Sequence, residues 1–278
     1  MKEILNLGAG IQSTTVLLLS LMGKLPPLDC AIFADTQWEP PEVYAHLKRL
    51  IDMANKASVP VHIVSKGNIR ADMLKARMRK EDYKLVKDGR WTTIPLYTRN
   101  PEGSIGRLRR QCTREYKITP IENFIRREIL NLAKGQHAPR SPVVRQWFGI
   151  SSDEVFRVNP SRAKWKEHYY PLIEDCRMSR RDCELWLEEN YPDLRVLKSA
   201  CIGCPYHSDA DWRAIKADAA MWKDAVEFDR AIRVCGGMRG ETFLHRSAQP
   251  LELVDLRSAE DRGQLNLFNN ECGGMCGL

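Results

Sequence analysis

A chain of 278 residues, 43% apolar and 28% charged, has a globular composition and the length for one large domain or two small ones. No apolar run approaches the ~20 residues that span a bilayer, and MKEILNLGAG lacks the basic segment, apolar core and cleavage site of a signal peptide; no membrane partner and a cytoplasmic location are expected. The net charge of +7 is modest, but basic residues gather at Arg107, Arg109, Arg110, Arg114 and Lys117, as a solvated helix face or an anion site. Disulfides are uncommon in the cytosol, so nine cysteines point to buried thiols, metal ligands or redox chemistry.

In chain order, residues 3–7 (EILNL) read as a buried strand, GAG as a turn and 14–22 (TTVLLLSLM) as a helix. Residues 30–35 (CAIFAD) read as a second strand, 41–57 as an amphipathic helix, 61–65 (VHIVS) as a third strand and 68–80 as a charged helix. Alternation of this kind implies right-handed crossovers and a parallel sheet. Residues 84–111 are polar, with glycines and prolines, and read as a long loop. A helix over 118–133 starts with a proline in its first turn, and 143–151 reads as a core strand. Capping boxes open two later helices, Ser179 with Asp182 and Ser208 with Asp211. The expected organisation is an α/β domain over 1–175, a helical region over 176–257 and a mobile tail over 258–278.

Two loops suit a nucleotide. In NLGAGIQSTT the glycines allow a tight turn and a close ligand approach. The following helix start offers N–H groups and a positive dipole end, and Ser13, Thr14 and Thr15 add hydroxyls. The loop is neither GxGxxG nor a Walker A, and a purely structural turn competes with an anion site. Asp35 and Thr36 close the second strand, at the edge where open parallel sheets bind ligands; a helix cap before Pro40 and Pro41 is the competing reading. A third motif, Cys201-x-x-Cys204-Pro205, aims two sulfurs at one point. It suits half of a metal site, a redox dithiol or a disulfide.

Taken in order, GAGIQST, FADTQWEPPEVY, QCTREYKITPI, GISSDEVFR, CIGCP and a terminal ECG resemble the phosphoadenosine-phosphosulfate reductase branch of the PP-loop (adenine nucleotide alpha hydrolase-like) superfamily, over nearly the whole chain. The resemblance implies a Rossmann-like, HUP-type parallel sheet with helices on both faces. It implies that ATP or another adenosine nucleotide, with magnesium, sits on Gly8, Ala9, Gly10, Gln12, Ser13 and Thr14, near Asp35 and Thr36. Lys117 matches the basic position of the family's C-C-x-x-[RK]-K-x-x-P motif, and Arg157, with Ser152, the segment that meets the nucleotide's anionic groups. The sequence departs from SGGxDS at Gly8 and Gln12; the latter replaces an acid that would help hold magnesium, which bears on ATP pyrophosphate cleavage. Thr113 stands where the motif's second cysteine would be.

The resemblance also implies a third thiolate, Cys112, joining Cys201 and Cys204 on a [4Fe–4S] cluster, with zinc as the fallback. Glu271-Cys272-Gly273 matches the start of the family's ECGLH ending, whose cysteine attacks a sulfonyl sulfur. Cys276 then resolves Cys272, or either thiol supplies a fourth metal ligand, or both are inert. Cys30, Cys176, Cys183 and Cys235 read as core or incidental. His207 reads as a hydrogen-bonding neighbour of the metal site, and His245-Arg246 as pocket-lining or structural. The expected function is a nucleotide-dependent sulfur-transfer enzyme that adenylates and thiolates a nucleic-acid or nucleotide acceptor, partnered by a thiol reductant or sulfur-donor protein. The alternatives are a sulfonucleotide reductase with Cys272 as nucleophile, and a metal-stapled nucleotide-binding protein without catalysis.

Overall fold

The structure is a computed structural model that describes residues 1–81, 94–196, 198–234, 240–258, 261 and 263. In chain order the elements are β1 (Lys2–Leu7), α1 (Ile11–Leu21), β2 (Cys30–Asp35), α2 (Pro41–Lys56), β3 (Val61–Ser65), α3 (Ile69–Glu81), β4 (Tyr97–Arg99), β5 (Ile105–Arg107), α4 (Thr119–Phe124), β6 (Val144–Phe148), β7 (Lys166–Tyr169), α5 (Pro171–Glu174), α6 (Arg180–Asn190), α7 (Asp209–Ala217), α8 (Ala219–Ala231) and β8 (Glu241–Phe243). They form two compact units, Met1–Lys66 with Tyr116–Ser199, and Gly67–Glu115 with Ala200–Leu278. The expected limits at 175 and 257 follow composition; the units follow packing.

The first unit is a five-stranded, all-parallel sheet in the order β3-β2-β1-β6-β7, with helices on both faces, so the expected Rossmann-like α/β class is what the chain adopts. Alternation along each strand builds two cores. Leu5, Leu7, Ala31, Phe33 and Trp147 pack on one face with α1, α2 and Cys183 of α6. Ile4, Cys30, Ile32, Ala34 and Val144 pack on the other with Ile121 and Ile125. Burial pushes the Cys30 thiol up to about 11 and the Cys183 thiol up to about 12; both are inert core residues, as expected. Cys176 packs against the first core, and Cys235 lies outside the described residues. No helix among the described residues is long and apolar enough to cross a membrane.

The sequence reading misses some elements for physical reasons. The helix expected over 118–133 begins earlier, as a π-helix over Thr113–Ile118, and a second π turn covers Ile125–Ile129. Pro120 has no N–H to give the carbonyl four residues back, and a wider turn accommodates that. Asn131, in the left-handed region at φ 51°, ends the helical run short of 133. β7 (KEHY) is polar because Lys166 is a buried cation: its Nζ donates to Glu122 Oε1 at 2.6 Å and Gln146 Oε1 at 2.9 Å. The loop expected over 84–111 contains β4 and β5, which with β8 form the antiparallel sheet β5-β4-β8 of the second unit. Strands of three residues are too short to show a period of two.

The second unit also contains α3, α7 and α8. Its centre is Asp229, 1% exposed, which accepts from the Leu244 and Leu251 amides at 2.8 and 3.0 Å and pairs with Arg233. Capping boxes open α6 at Ser179 and α7 at Ser208, as the sequence indicates.

One close approach fixes the first unit. A Cβ on Gly149, just past β6, would lie 2.6 Å from the Ser13 nitrogen and 2.8 Å from its Cα. Backbone cannot yield as a flexible side chain does, so Gly149→Ala should destabilise the fold by about 2–3 kcal/mol in urea unfolding. Gly8→Ala, whose Cβ would meet only Ser13 Oγ at 3.5 Å, should cost clearly less. Equal effects would refute the close-packing account.

Candidate nucleotide loop and thiol turn

The expected loop lies between β1 and α1 in the first unit. Ala9 takes φ 53°, which swings the chain into the helix. The helix N-cap is Gly10, which offers no side chain, and the first turn carries no acid. The first amides of α1 therefore lack a side-chain cap, as an anion site requires. Inside the loop the Gly8 amide donates to Ser13 Oγ at 3.1 Å, and that hydroxyl donates to the Gly10 carbonyl at 3.2 Å.

Thr14, expected to meet the nucleotide, instead faces inward. It is fully buried, and its Oγ1 lies 3.0 Å from His46 Nε2. Burial, with a smaller push from Arg49, lowers the His46 ring to about 4 from an ordinary 6.5. Nδ1 of that ring has no hydrogen-bond partner among the described residues.

Two carboxylates that the sequence reading passes over organise the rest. Glu154 follows Gly149 in the 3₁₀ turn Ser152–Arg157 and is buried. Its Oε1 accepts from Arg157 Nη1 at 2.6 Å and its Oε2 from Gln12 Nε2 at 3.2 Å, and the same amide reaches Ser151 Oγ at 3.4 Å. The expected Gln12 and Arg157 thus meet through Glu154. Glu39, with its side chain 0% exposed, pairs with Lys117 at 3.6 Å and accepts from Thr36 Oγ1 at 3.4 Å and Ser199 Oγ at 3.3 Å. A Cβ on Gly10 would lie 3.8 Å from the Ser199 nitrogen, so this second cluster borders the loop. The signal in the sequence was available: each acid sits within three residues of a residue already singled out. Asp35 is engaged locally. Its Oδ1 accepts from the Gln37 amide at 2.7 Å and from Tyr44 Oη at 2.8 Å, and burial with this bond holds the Tyr44 phenol above its usual range.

In the second unit the C-x-x-C segment is a tight turn. The Cys204 amide donates to the Cys201 carbonyl at 3.0 Å and the His207 amide to the Cys204 carbonyl at 3.1 Å. His207 Nε2 lies 2.9 Å from the Cys201 carbonyl, which only accepts, so this nitrogen carries the proton. His207 thus braces the turn. His245 and Arg246 both engage Asp209, at 3.0 and 2.8 Å, in the first turn of α7.

Cys112, Cys201 and Cys204 are half-buried thiols. Among the described residues no group of three or more His, Cys, Asp or Glu side chains is disposed to hold a metal ion. The structure therefore does not gather the three expected thiols into such a group. Cys272 and Cys276 lie outside the described residues.

No protein-family model matches the chain, and no curated protein matches it. Among solved structures it is similar to the phosphoadenylyl-sulfate (PAPS) reductase of Candida auris in its phosphate complex, at 14% identity and a TM-score of 0.41, over 72% of this chain and 81% of that one. A likeness of that strength carries no argument of its own, and the architecture rests on the strand order above.

The geometry makes two predictions. Above pH 6.5 His46 is neutral folded and unfolded. As the pH falls from 6.5 toward 4, the unfolded chain takes up a proton that the folded chain refuses, so stability is lost by up to ~3 kcal/mol. The stability difference between the parent and His46→Gln, measured by urea unfolding, should fall across that window; a pH-independent difference would remove the assignment. Separately, a double-mutant cycle of Glu154→Gln and Arg157→Ala should give a coupling of about 0.5–1.5 kcal/mol, small because the Arg157 side chain is 48% exposed. Additive effects would mean the pair is incidental.

Proposed function

We propose that the protein is an enzyme of sulfur chemistry that uses ATP or a related adenosine nucleotide. The observation that carries this reading is the uncapped, acid-free start of α1 flanked by the Gln12–Glu154–Arg157 chain. Backbone amides at the start of α1, beyond Gly8 whose own amide is held by Ser13 Oγ, would bind the phosphates. Arg157 would exchange its carboxylate partner for phosphate oxygen, a bidentate match for a guanidinium. Lys117 and Thr36, held on Glu39, would orient the remainder of the nucleotide beside Ser199.

In the reaction proposed, an acceptor oxygen attacks the α-phosphorus and releases pyrophosphate. Hydrosulfide from a sulfur donor then displaces AMP, so that sulfur replaces oxygen and both electron pairs leave with phosphate groups. Cys112, Cys201 and Cys204 are proposed as the residues that would hold an iron–sulfur cluster, or zinc; an all-thiolate donor set suits either, but the three would have to draw together on binding, since among the described residues they form no group disposed to hold a metal. Alternatively Cys272, loaded as a persulfide by a sulfur-donor protein, attacks with its outer sulfur as AMP leaves; Cys276 then opens the resulting acceptor–Cys272 disulfide, freeing the thiolated acceptor and leaving a Cys272–Cys276 disulfide for a thiol reductant to restore.

One observation favours a second reading, the sulfonucleotide reductase. Gln12 spends its amide on Glu154 and Ser151, and no acid stands in the first turn of α1 to serve magnesium. A site that binds a preformed sulfonucleotide needs neither.

The test is calorimetric ATP binding to the full chain, followed by incubation with ATP, sulfide, reductant and nucleic acid. AMP and pyrophosphate in equal amounts support transfer. Sulfite released from adenosine phosphosulfate, and lost in Cys272→Ser, establishes the reductase instead. Tight binding with neither product leaves a nucleotide-binding protein without catalysis. Anaerobically purified protein should carry iron and labile sulfide that disappear in Cys201→Ser/Cys204→Ser; colourless protein without iron or zinc would end the metal assignment.

A further inference from the structure

The turn that carries Cys201 and Cys204 is tied to a row of arginines. Arg107 ends β5, and Arg109, Arg110 and Arg114 follow, with no acidic residue between Glu102 and Glu115. All four are exposed. Arg107 and Arg110 converge on one ring, their guanidinium carbons 5.2 and 5.3 Å from the centre of Tyr206. Tyr206 follows Cys204-Pro205 on the braced turn, and Arg110 precedes Cys112 by two residues.

The row is fixed at both ends. Arg107 pairs in register with Tyr97 of β4, the Leu108 amide donates to the Leu96 carbonyl at 2.9 Å, and the Glu115 amide donates to the Gln111 carbonyl at 3.0 Å. Arg109 and Arg114 make no ion pair among the described residues. Both guanidinium planes lie against the face of the Tyr206 ring, which holds their charges side by side on the surface.

We propose that this row is a docking surface for the phosphate backbone of a nucleic acid, alongside the segments that carry Cys112, Cys201 and Cys204. It deepens the reading above by naming the acceptor class, and depends on that reading for the chemistry but not for the binding. Guanidinium planes pair bidentately with phosphate. A polymer of evenly spaced phosphates engages several arginines at once, where a lone nucleotide engages one or two. The chain's net charge of +7 adds long-range attraction.

The experiment is fluorescence anisotropy of labelled RNA and DNA oligonucleotides with the full chain, from about 50 to 200 mM salt. Arg109→Ala/Arg114→Ala removes two exposed charges, and Arg107→Ala/Arg110→Ala removes the pair on Tyr206. Each double variant should lower the slope of log affinity against log salt by about 2 and weaken binding at least ~10-fold at the lower salt. ATP affinity of Arg109→Ala/Arg114→Ala, by calorimetry, should be unchanged. Absence of oligonucleotide binding by the parent chain, an unchanged slope in both variants, or equal competition by polyglutamate or anionic vesicles would overturn the proposal. Oligonucleotide binding without ATP binding would leave this surface standing and remove the nucleotide reading.

Discussion

The first unit depends on one contact between backbones: the end of β6 lies so close to the start of α1 that nothing larger than glycine fits at 149. The sheet order reverses between β1 and β6, which makes their carboxyl ends the switch point where open α/β sheets leave a crevice. With Gly149 pressed on Ser13, the chain leaving β6 has to run past the first turn of α1. Glu154 is thereby delivered to Gln12, and Arg157 to Glu154.

Each cationic residue expected at the loop meets a buried carboxylate. A carboxylate taken out of water needs hydrogen-bond donors or a cation. Glu154 has Gln12 and Arg157; Glu39 has Lys117, Thr36 and Ser199. An anion arriving at the loop therefore competes for cations already engaged, and its binding free energy is the difference between two sets of pairs. The loop's basic residues do not add up to a simple positive cradle.

The periodic part of this architecture was legible. β2 and β3 match their expected limits because CAIFAD, with five apolar residues in a row, and VHIVS, rich in β-branched residues, each stand between turns rich in Pro, Gly and Asp. The capping boxes at Ser179 and Ser208 were legible because the motif is local. β4, β5 and β8 were not: each supplies only three residues, too few to show a period, and β8 joins the β4–β5 hairpin from far along the chain. The loop was legible as a glycine turn before a helix, and Arg157 as a neighbour of GISSDE. What escaped was the acid between them, because a glutamate in a polar segment looks like solvent-facing charge until a fold buries it. Thr14 misled in the opposite direction: a hydroxyl in a loop motif reads as a ligand contact, while the helix turns it toward His46.

The ammonium of Lys66 sits 4.5 Å from the centre of the Tyr116 ring. These are the last residue before the chain departs the parallel-sheet unit and the first after it returns. The excursion over Gly67–Glu115 thus starts and finishes at a single doorway, while β4 ties it to β8 of the chain's later segment. The five strands of the first sheet all come from outside the excursion, so a change of length within it falls on the second unit's own sheet, β5-β4-β8, and not on the order of the first.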